Sequence, residues 1–245
     1  MSGGGGVVMG ASGVLGAALA RRFAAEGWQV LAVGRDEGRV QAALEGVPAS
    51  VAVADVLDAR SVDLCVQQAV AELGRVDVLV NASGGSLAQL GGEDKPVTEL
   101  TDADWRLVLD VNLRGSFNCV RAAGRVMAEQ REGHIILVAS GSGLRPGGRS
   151  AAYAAAKAGV IGLMKGAARD LGPFNVRVNA VNPGLIPHER MPAAAAGRFL
   201  DSYKENEAML GRFSTPEEFA RLVVVLAGAS HLSGQVLNLD SRVLV

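Results

Sequence analysis

The sequence predicts an α/β fold: a doubly wound parallel sheet of about seven strands with helices on both faces. Three observations carry this. Short β-branched apolar runs alternate with longer Ala-rich helical stretches from end to end. The runs are apolar at consecutive positions, as strands buried on both faces are. With 245 residues and 49% hydrophobic content, the chain suits one such sheet better than two small ones, so the expectation is a single domain over residues 1–245.

The elements follow in order. Gly6-Val7-Val8-Met9 reads as the first strand, followed by a helix from about Val14 to Glu26. Gln29 to Val33 reads as the second strand, with a short charged helix near Asp36 to Leu44. Val51–Val53 and Val78–Val80 are further strands, separated by a helix between Ser61 and Leu73. A long helix after Asp102 leads to the strand Ile135–Val138, then to a helix from Ala151 to about Leu171. The strand Val176–Val181, a helix from Pro216 and the strand Gln235–Leu239 complete the series. Right-handed crossovers place the ligand crevice at the carboxyl ends of these strands.

Composition excludes several classes of function. A net charge of −1 with no clustered Lys/Arg run leaves no electrostatic footprint for nucleic acid. Cys65 and Cys119 fit neither metal spacing nor a disulfide framework and read as buried thiols in a reducing compartment. His134, His188 and His231 show no helical ligand spacing, so no metal site is expected. No apolar run approaches the roughly 18 residues of a membrane span. The first residues lack the basic and apolar regions of a signal peptide, and a cytoplasmic location is expected.

Gly10-Ala11-Ser12-Gly13-Val14-Leu15-Gly16 lies where the first strand hands over to the first helix. Glycines there permit a tight turn and let backbone N–H groups approach a pyrophosphate at the positive end of the helix. This is the Rossmann-type placement, with the Ser12 hydroxyl as an additional donor; a merely flexible turn is the plainer reading. Tyr153 and Lys157 stand four apart on a helix and so share one face. A phenol with its ordinary pKa of about 10 exchanges protons poorly near neutrality, and a neighbouring cation favours its ionised form. Ser140 ends a buried run thirteen residues before Tyr153, a place from which a hydroxyl reaches a substrate oxygen. Taken singly, a surface Tyr/Lys pair and a turn-starting serine explain the same residues.

The set in its order resembles the short-chain dehydrogenase/reductase family over nearly the whole chain. The matching features are the Gly10–Gly16 turn, Asp55 after the third strand, Asn81-Ala82-Ser83-Gly84 after the fourth, and Asn112 within Asp110–Gly115. Ser140, Tyr153, Lys157, Asn182-Pro183-Gly184 and the tail Gly234–Asp240 complete it. The resemblance implies that Tyr153 is the catalytic acid/base, that Lys157 binds the nicotinamide ribose and tunes Tyr153, and that Ser140 holds the substrate oxygen. Asn112 is implied to position a water that links Lys157 to solvent. The implied cofactor contacts are Gly10, Ser12, Gly13, Val14, Leu15 and Gly16 at the phosphates, and Asp55 with Val56 at the adenine. Asn81, Ala82 and Ser83 are implied along the ribose, and Pro183, Gly184 and Ile186 behind the nicotinamide.

Four departures from the family pattern stand out. The turn has G-x-x-G-x-x-G spacing, with Val14 where a glycine is usual, and Asn81-Ala82-Ser83-Gly84 replaces Asn-Asn-Ala-Gly. His188 stands where the family commonly has a threonine, and Asp240-Ser241-Arg242 replaces an Asp-Gly-Gly ending. NAD-preferring members usually carry an acidic residue where Gly34 lies. Its absence, with Arg35 next and Arg39 a turn later, favours NADP(H) over NAD(H) through a guanidinium paired with the 2′-phosphate; a solvated Arg35 is the alternative.

The expected reaction is reduction of a ketone or β-keto carbonyl, as in 3-oxoacyl carrier-protein reductases and ketoreductases, with a small carbonyl or alcohol as substrate. Oxidation of a secondary alcohol with NAD and a cofactor-binding protein without turnover are the alternatives. The stretch 185–207, with Met191, Phe199, Leu200 and Tyr203, is expected to form a substrate lid. A homo-oligomer, tetramer or dimer, is expected through the helices around Asn112–Ala128 and Ala151–Leu171, with no nucleic-acid or membrane partner.

Overall fold

The structure is a computed structural model that describes residues 3–145, 150–187, 200–201, 205 and 207–242. Its strands are β1 (Gly5–Met9), β2 (Gln29–Gly34), β3 (Ser50–Val53), β4 (Val78–Asn81), β5 (Gly133–Val138), β6 (Val176–Asn182) and β7 (Val236–Asn238). They form one sheet of order β3-β2-β1-β4-β5-β6-β7, with every neighbouring pair parallel. From β1 the chain winds outward through β2 to β3, then returns to the other side of β1 as β4. The direction of winding therefore reverses between β1 and β4, and a crevice opens at their carboxyl ends.

Alternation along β1 explains the two-sided burial. Val7 and Met9 point to one face with Leu31, Val33, Leu79 and Ile135, where α3 (Ala59–Leu73), α5 (Gly115–Gln130) and α6 (Ala151–Leu171) supply Val66, Met127 and Met164. Val8 points to the other face with Ala32, Val80 and Ile136, covered by Leu19 and Phe23 of α1 (Val14–Ala25) and Phe219 and Val223 of α7 (Pro216–Gly228). Phe23 meets Trp28 edge to face at 5.0 Å between centroids. Cys65 and Cys119 lie in the first of these layers, and burial pushes the Cys65 thiol up to about 12.

Local chemistry sets the helix starts. Asp36 caps α2 (Glu37–Ala43) by accepting from Arg39 N–H, and Asp58 caps α3 by accepting from Arg60 N–H. Thr215 forms a reciprocal capping box with Glu218 on α7, whose first residue is Pro216. The long helix expected after Asp102 is interrupted. α4 (Asp102–Leu109), started by a Thr101/Asp104 box, runs into a π-helical turn at Asp110–Arg114, and α5 then continues. No helix among the described residues is long and apolar enough to cross a membrane. Most of the expected lid, including His188, Met191, Phe199 and Tyr203, lies outside the described residues.

Candidate active site

The crevice between β1 and β4 is floored by Gly10. Its φ of +80° suits glycine, and a Cβ there would sit 2.8 Å from the Ser83 amide nitrogen. The β1 turn and the β4 loop can therefore lie directly against each other. Gly10 and Ala11 both donate backbone N–H to Val33 O at 2.9 Å, which ties the turn to the end of β2. Helix α1 starts at Val14 with Gly13 as its N-cap, no side chain capping it and no acidic residue in its first turn. A helix N-terminus whose first turn holds no acidic residue suits the phosphates of a dinucleotide. Ser12, Leu15 and Gly16 complete this turn, and Gly16 packs so closely on Gly10 O that a side chain would collide there.

The neighbouring contacts combine residues that the sequence pointed to, such as Asp55 and Asn81, with Ser116, Asn118 and Ser214, which it did not. Asp55 accepts from Leu57 N–H at 2.9 Å, shaping the turn after β3. Buried Asn118 of α5 donates to Val56 O at 2.7 Å and fixes the next residue. Asn81 is buried; it donates to Ser116 Oγ at 3.1 Å and accepts from Ser83 N–H at 3.1 Å. Ala82 donates its N–H to Met9 O at 3.0 Å. Arg35 is exposed at the end of β2, and Arg39 is exposed on α2. On the far side, Gly184 N–H donates to Asn182 Oδ1, and Ser214 Oγ donates to Pro183 O at 2.6 Å. Ile186 is 9% exposed and packs into the layer beneath.

Lys157 and Tyr153 lie together on α6, and the turn opened by Ser140 packs against the same helix. Lys157 is buried, donates from Nζ to Val138 O at 2.9 Å, and lies 5.7 Å from the centre of the Tyr153 ring. Burial pushes its ammonium down to about 8. Tyr153 is half-buried against Leu87, Val108, Ala152 and Ala156, an apolar wall from α4, α6 and the loop after β4. Ser140 leaves β5 in extended conformation and accepts from Ser142 N–H at 3.2 Å. The turn it opens packs on α6: a Cβ on Gly143 would lie 2.6 Å from the Lys157 carbonyl carbon. Ser150, at the N-cap of α6, has a buried hydroxyl with no hydrogen-bond partner among the described residues, one turn ahead of Tyr153.

Asn112 occupies the π-helical turn and is buried. Its Nδ2 donates to Gly85 O at 2.9 Å and Val108 O at 2.8 Å, while Oδ1 accepts from Gly85 N–H at 3.1 Å. Gly84, at φ +138°, lies beneath it, and a Cβ there would be 2.5 Å from Asn112 Oδ1 and 3.4 Å from Lys157 Nζ. Asn112 thus clamps the β4 loop close to Lys157 on α6. Asn118, Ser116 and Gly143 were not legible as site residues because their function is to shape backbone, and buried amides and small residues occur everywhere in such a chain. Gly84 was quoted only as part of a motif, whereas here it sets a close approach.

A family described as Enoyl-(Acyl carrier protein) reductase matches residues 10–241. A 3-oxoacyl-[acyl-carrier-protein] reductase of Thermotoga maritima is 34% identical, over 98% of this chain and 97% of its own length. A short-chain reductase of Streptomyces niveus is 36% identical, over 96% of this chain and 91% of its own length. The crystal structure of a dehydrogenase/reductase from Sinorhizobium meliloti 1021 superposes with a TM-score of 0.86 at 33% identity, over 99% of this chain and 95% of that one.

Proposed function

The chain belongs to the short-chain dehydrogenase/reductase family, as an oxidoreductase acting on a CH–OH/C=O group, and from that premise we propose that it reduces a ketone or β-keto carbonyl to a secondary alcohol with NADP(H). The observation that carries this reading is buried Lys157 lying 5.7 Å from the centre of the Tyr153 ring, on the helix against which the turn opened by Ser140 packs, with a glycine turn free of acidic residues at the end of β1. The name of the Thermotoga relative, a 3-oxoacyl-[acyl-carrier-protein] reductase, supports the carbonyl as substrate. The family binds a nicotinamide dinucleotide, and the residues present fit one. The first turn of α1 with Gly10, Ser12, Gly13, Val14, Leu15 and Gly16 holds the phosphates, and Asp55 with Val56 bounds the adenine. Asn81, Ala82, Ser83 and Lys157 line the ribose side, and Pro183, Gly184 and Ile186 back the nicotinamide.

The bound dinucleotide supplies the hydride. The protein's part is orientation and proton delivery. Ser140 Oγ donates to the carbonyl oxygen and fixes its direction. Tyr153 Oη gives that oxygen a proton as negative charge grows on it. Lys157, held by Val138 O, keeps a positive charge beside the phenol and makes loss of its proton less costly. Asn112 holds the β4 loop in place, and its turn positions the water through which Lys157 reaches solvent. The apolar wall of Leu87, Val108 and Ala152 excludes water from the Tyr153 ring. A single domain spanning 1–245 is the organisation proposed, and most of the expected lid at 185–207 lies outside the described residues.

A panel of ketones and β-keto esters with NADPH and NADH, followed by loss of reduced-cofactor absorbance, tests the reading. Reduction of at least one β-keto substrate, faster with NADPH, is the expected result. Oxidation of secondary alcohols alone, or binding of NADPH without turnover across the panel, would replace it.

A further inference from the structure

The segment after β7 lies against the turn that follows β6. Leu239 N–H donates to Asn182 O at 2.8 Å, and a Cβ on Gly184 would lie 2.5 Å from Leu239 O. The tail therefore rests directly on the Pro183-Gly184 turn. Asp240 follows, with a side chain only 1% exposed. Arg242 grips it with a fork: Nε lies 2.9 Å from Oδ1 and Nη2 lies 2.5 Å from Oδ2, and the Arg242 backbone N–H adds a bond to Oδ1 at 3.1 Å. Burial alone would raise the Asp240 carboxyl, but the bonds from Arg242 outweigh it and hold the group below the usual carboxylate range.

The same guanidinium reaches two other segments. Its Nη1 lies 3.7 Å from Glu207 Oε2, and Glu207 also pairs with Arg145, at the far end of the turn that Ser140 opens. Met209 N–H donates to Ser241 O at 3.3 Å alongside. A Cβ on Gly141, the residue next to Ser140, would lie 2.5 Å from Arg242 Nη2. That nitrogen cannot swing away cheaply, because Asp240 holds it. Arg145, Glu207, Arg242 and Asp240 thus form one line of alternating charge linking the Ser140 turn, the segment at 207–209 and the tail over Pro183-Gly184. Among the described residues, this line sets two cations against two anions.

We propose that Arg242 is a positioning residue: its guanidinium backs the Gly141 turn and fixes Ser140 relative to the Pro183-Gly184 wall. This rests on the reading of Ser140, Tyr153 and Lys157 as the reacting groups. It explains why an arginine stands in a tail where the family pattern has glycine. Removing one member of a largely buried pair leaves the other uncompensated, and the turn it supports loosens.

Hydrogen exchange by mass spectrometry on wild type, R242K and R242M tests the support. In R242M the amides of residues 140–145 should exchange at least about tenfold faster, while those of β1 and β4 keep their wild-type rates; R242K, charged but unable to fork, falls between. On a carbonyl substrate of the wild type, R242M should lose about tenfold or more in kcat with an unchanged NADPH Kd. G141A should be harmful alone and better tolerated in the background of R242S, because the shorter side chain leaves room for the methyl group. Unchanged exchange at 140–145, acceleration spread evenly over the sheet, or faster exchange with an unaltered kcat would overturn the proposal. A wild type that reduces no carbonyl, or Y153F that turns over normally, sinks the underlying reading instead, and the exchange result still decides whether Arg242 supports the turn.

Discussion

Lys157 is a charge buried at the centre of the site, and its cost can be followed with pH. Its ammonium is pushed down to about 8 from a usual 10.5 by burial. Between these values the unfolded chain binds the extra proton, so stability rises with pH there; below pH 8 the folded protein carries the burial cost in full. Carbonyl reduction should accordingly fall as pH rises through about 8, when the ammonium is lost. K157M should keep a Tm at or above that of the wild type at pH 7, while NADPH affinity and kcat both collapse. A lower Tm with intact nucleotide affinity, by calorimetry and fluorescence titration, would contradict this. At the end of β2, Gly34 is buried, and a Cβ on it would lie 2.5 Å from Val40 Cγ2. A side chain at that position would have to displace buried Val40, and the proposed partner of a 2′-phosphate is Arg35. R35S should lose a charge-assisted bond worth roughly 1.5–3 kcal/mol, lowering kcat/KM for NADPH by about tenfold or more with NADH little affected. An unmoved NADPH/NADH ratio would make Arg35 a solvated charge only.

At the scale of elements, β5 and β6 carry a polar cluster at the end of the sheet away from the site. His134 is fully buried, with Arg177 Nη1 2.9 Å from its Nδ1 and Asn179 Nδ2 2.8 Å from its Nε2. Arg177 also donates to the carbonyl oxygens of Ala227 and Ala229 at the end of α7. Burial first, and the Arg177 charge second, push the imidazole down to about 3 against a bond to Ala227. The folded pKa lies below the unfolded 6.5, so the stability from a neutral His134 is present above pH 6.5 and is lost as pH falls toward 3. Urea unfolding at pH 7 and pH 5 should show a steeper acid loss in wild type than in H134Q, by up to about 1.4 kcal/mol per pH unit; parallel slopes would remove His134 from the account. The elements themselves were legible in the sequence because most strands are apolar at consecutive positions, β6 alternating with Arg177 and Asn179 instead, and most breaks carry glycine, proline or a capping residue. Helix α6 begins and ends where the sequence placed it, at Ala151 and Leu171. The π-helical turn at Asp110–Arg114 was not legible, because Asp110-Val111-Asn112-Leu113 continues the helical pattern. What widens that turn is tertiary: Asn112 reaches out to bond Gly85 in a loop 27 residues away.

At the scale of the molecule, the site was legible as identities and order, while its support was not. Tyr153, Lys157 and Ser140 carry distinctive chemistry at distinctive spacing. Asn118 on Val56, Gly143 on α6 and Arg242 on Gly141 are contacts between distant segments, and a local pattern cannot display them. Trp105 and Leu107 of α4 and Phe117 of α5 are exposed apolar side chains, Phe117 being 44% exposed with Arg121 stacked 5.0 Å from its ring. Phe117 lies on one of the two helices through which a homo-oligomer is expected. Light scattering at micromolar concentration should give a multiple of the 25.2 kDa chain mass, and F117D should lower it; a monomeric wild type would contradict the proposal. The central claim is that Tyr153 delivers the proton while other groups hold the nucleotide. The measurement that tests it most directly is single-turnover NADPH oxidation by wild type and Y153F on the same carbonyl, with NADPH Kd measured in parallel by fluorescence. The account predicts a rate loss of about 10²- to 10⁴-fold with Kd within about threefold of wild type, since 1.4 kcal/mol would already be tenfold. A Y153F rate equal to the wild-type rate would contradict it.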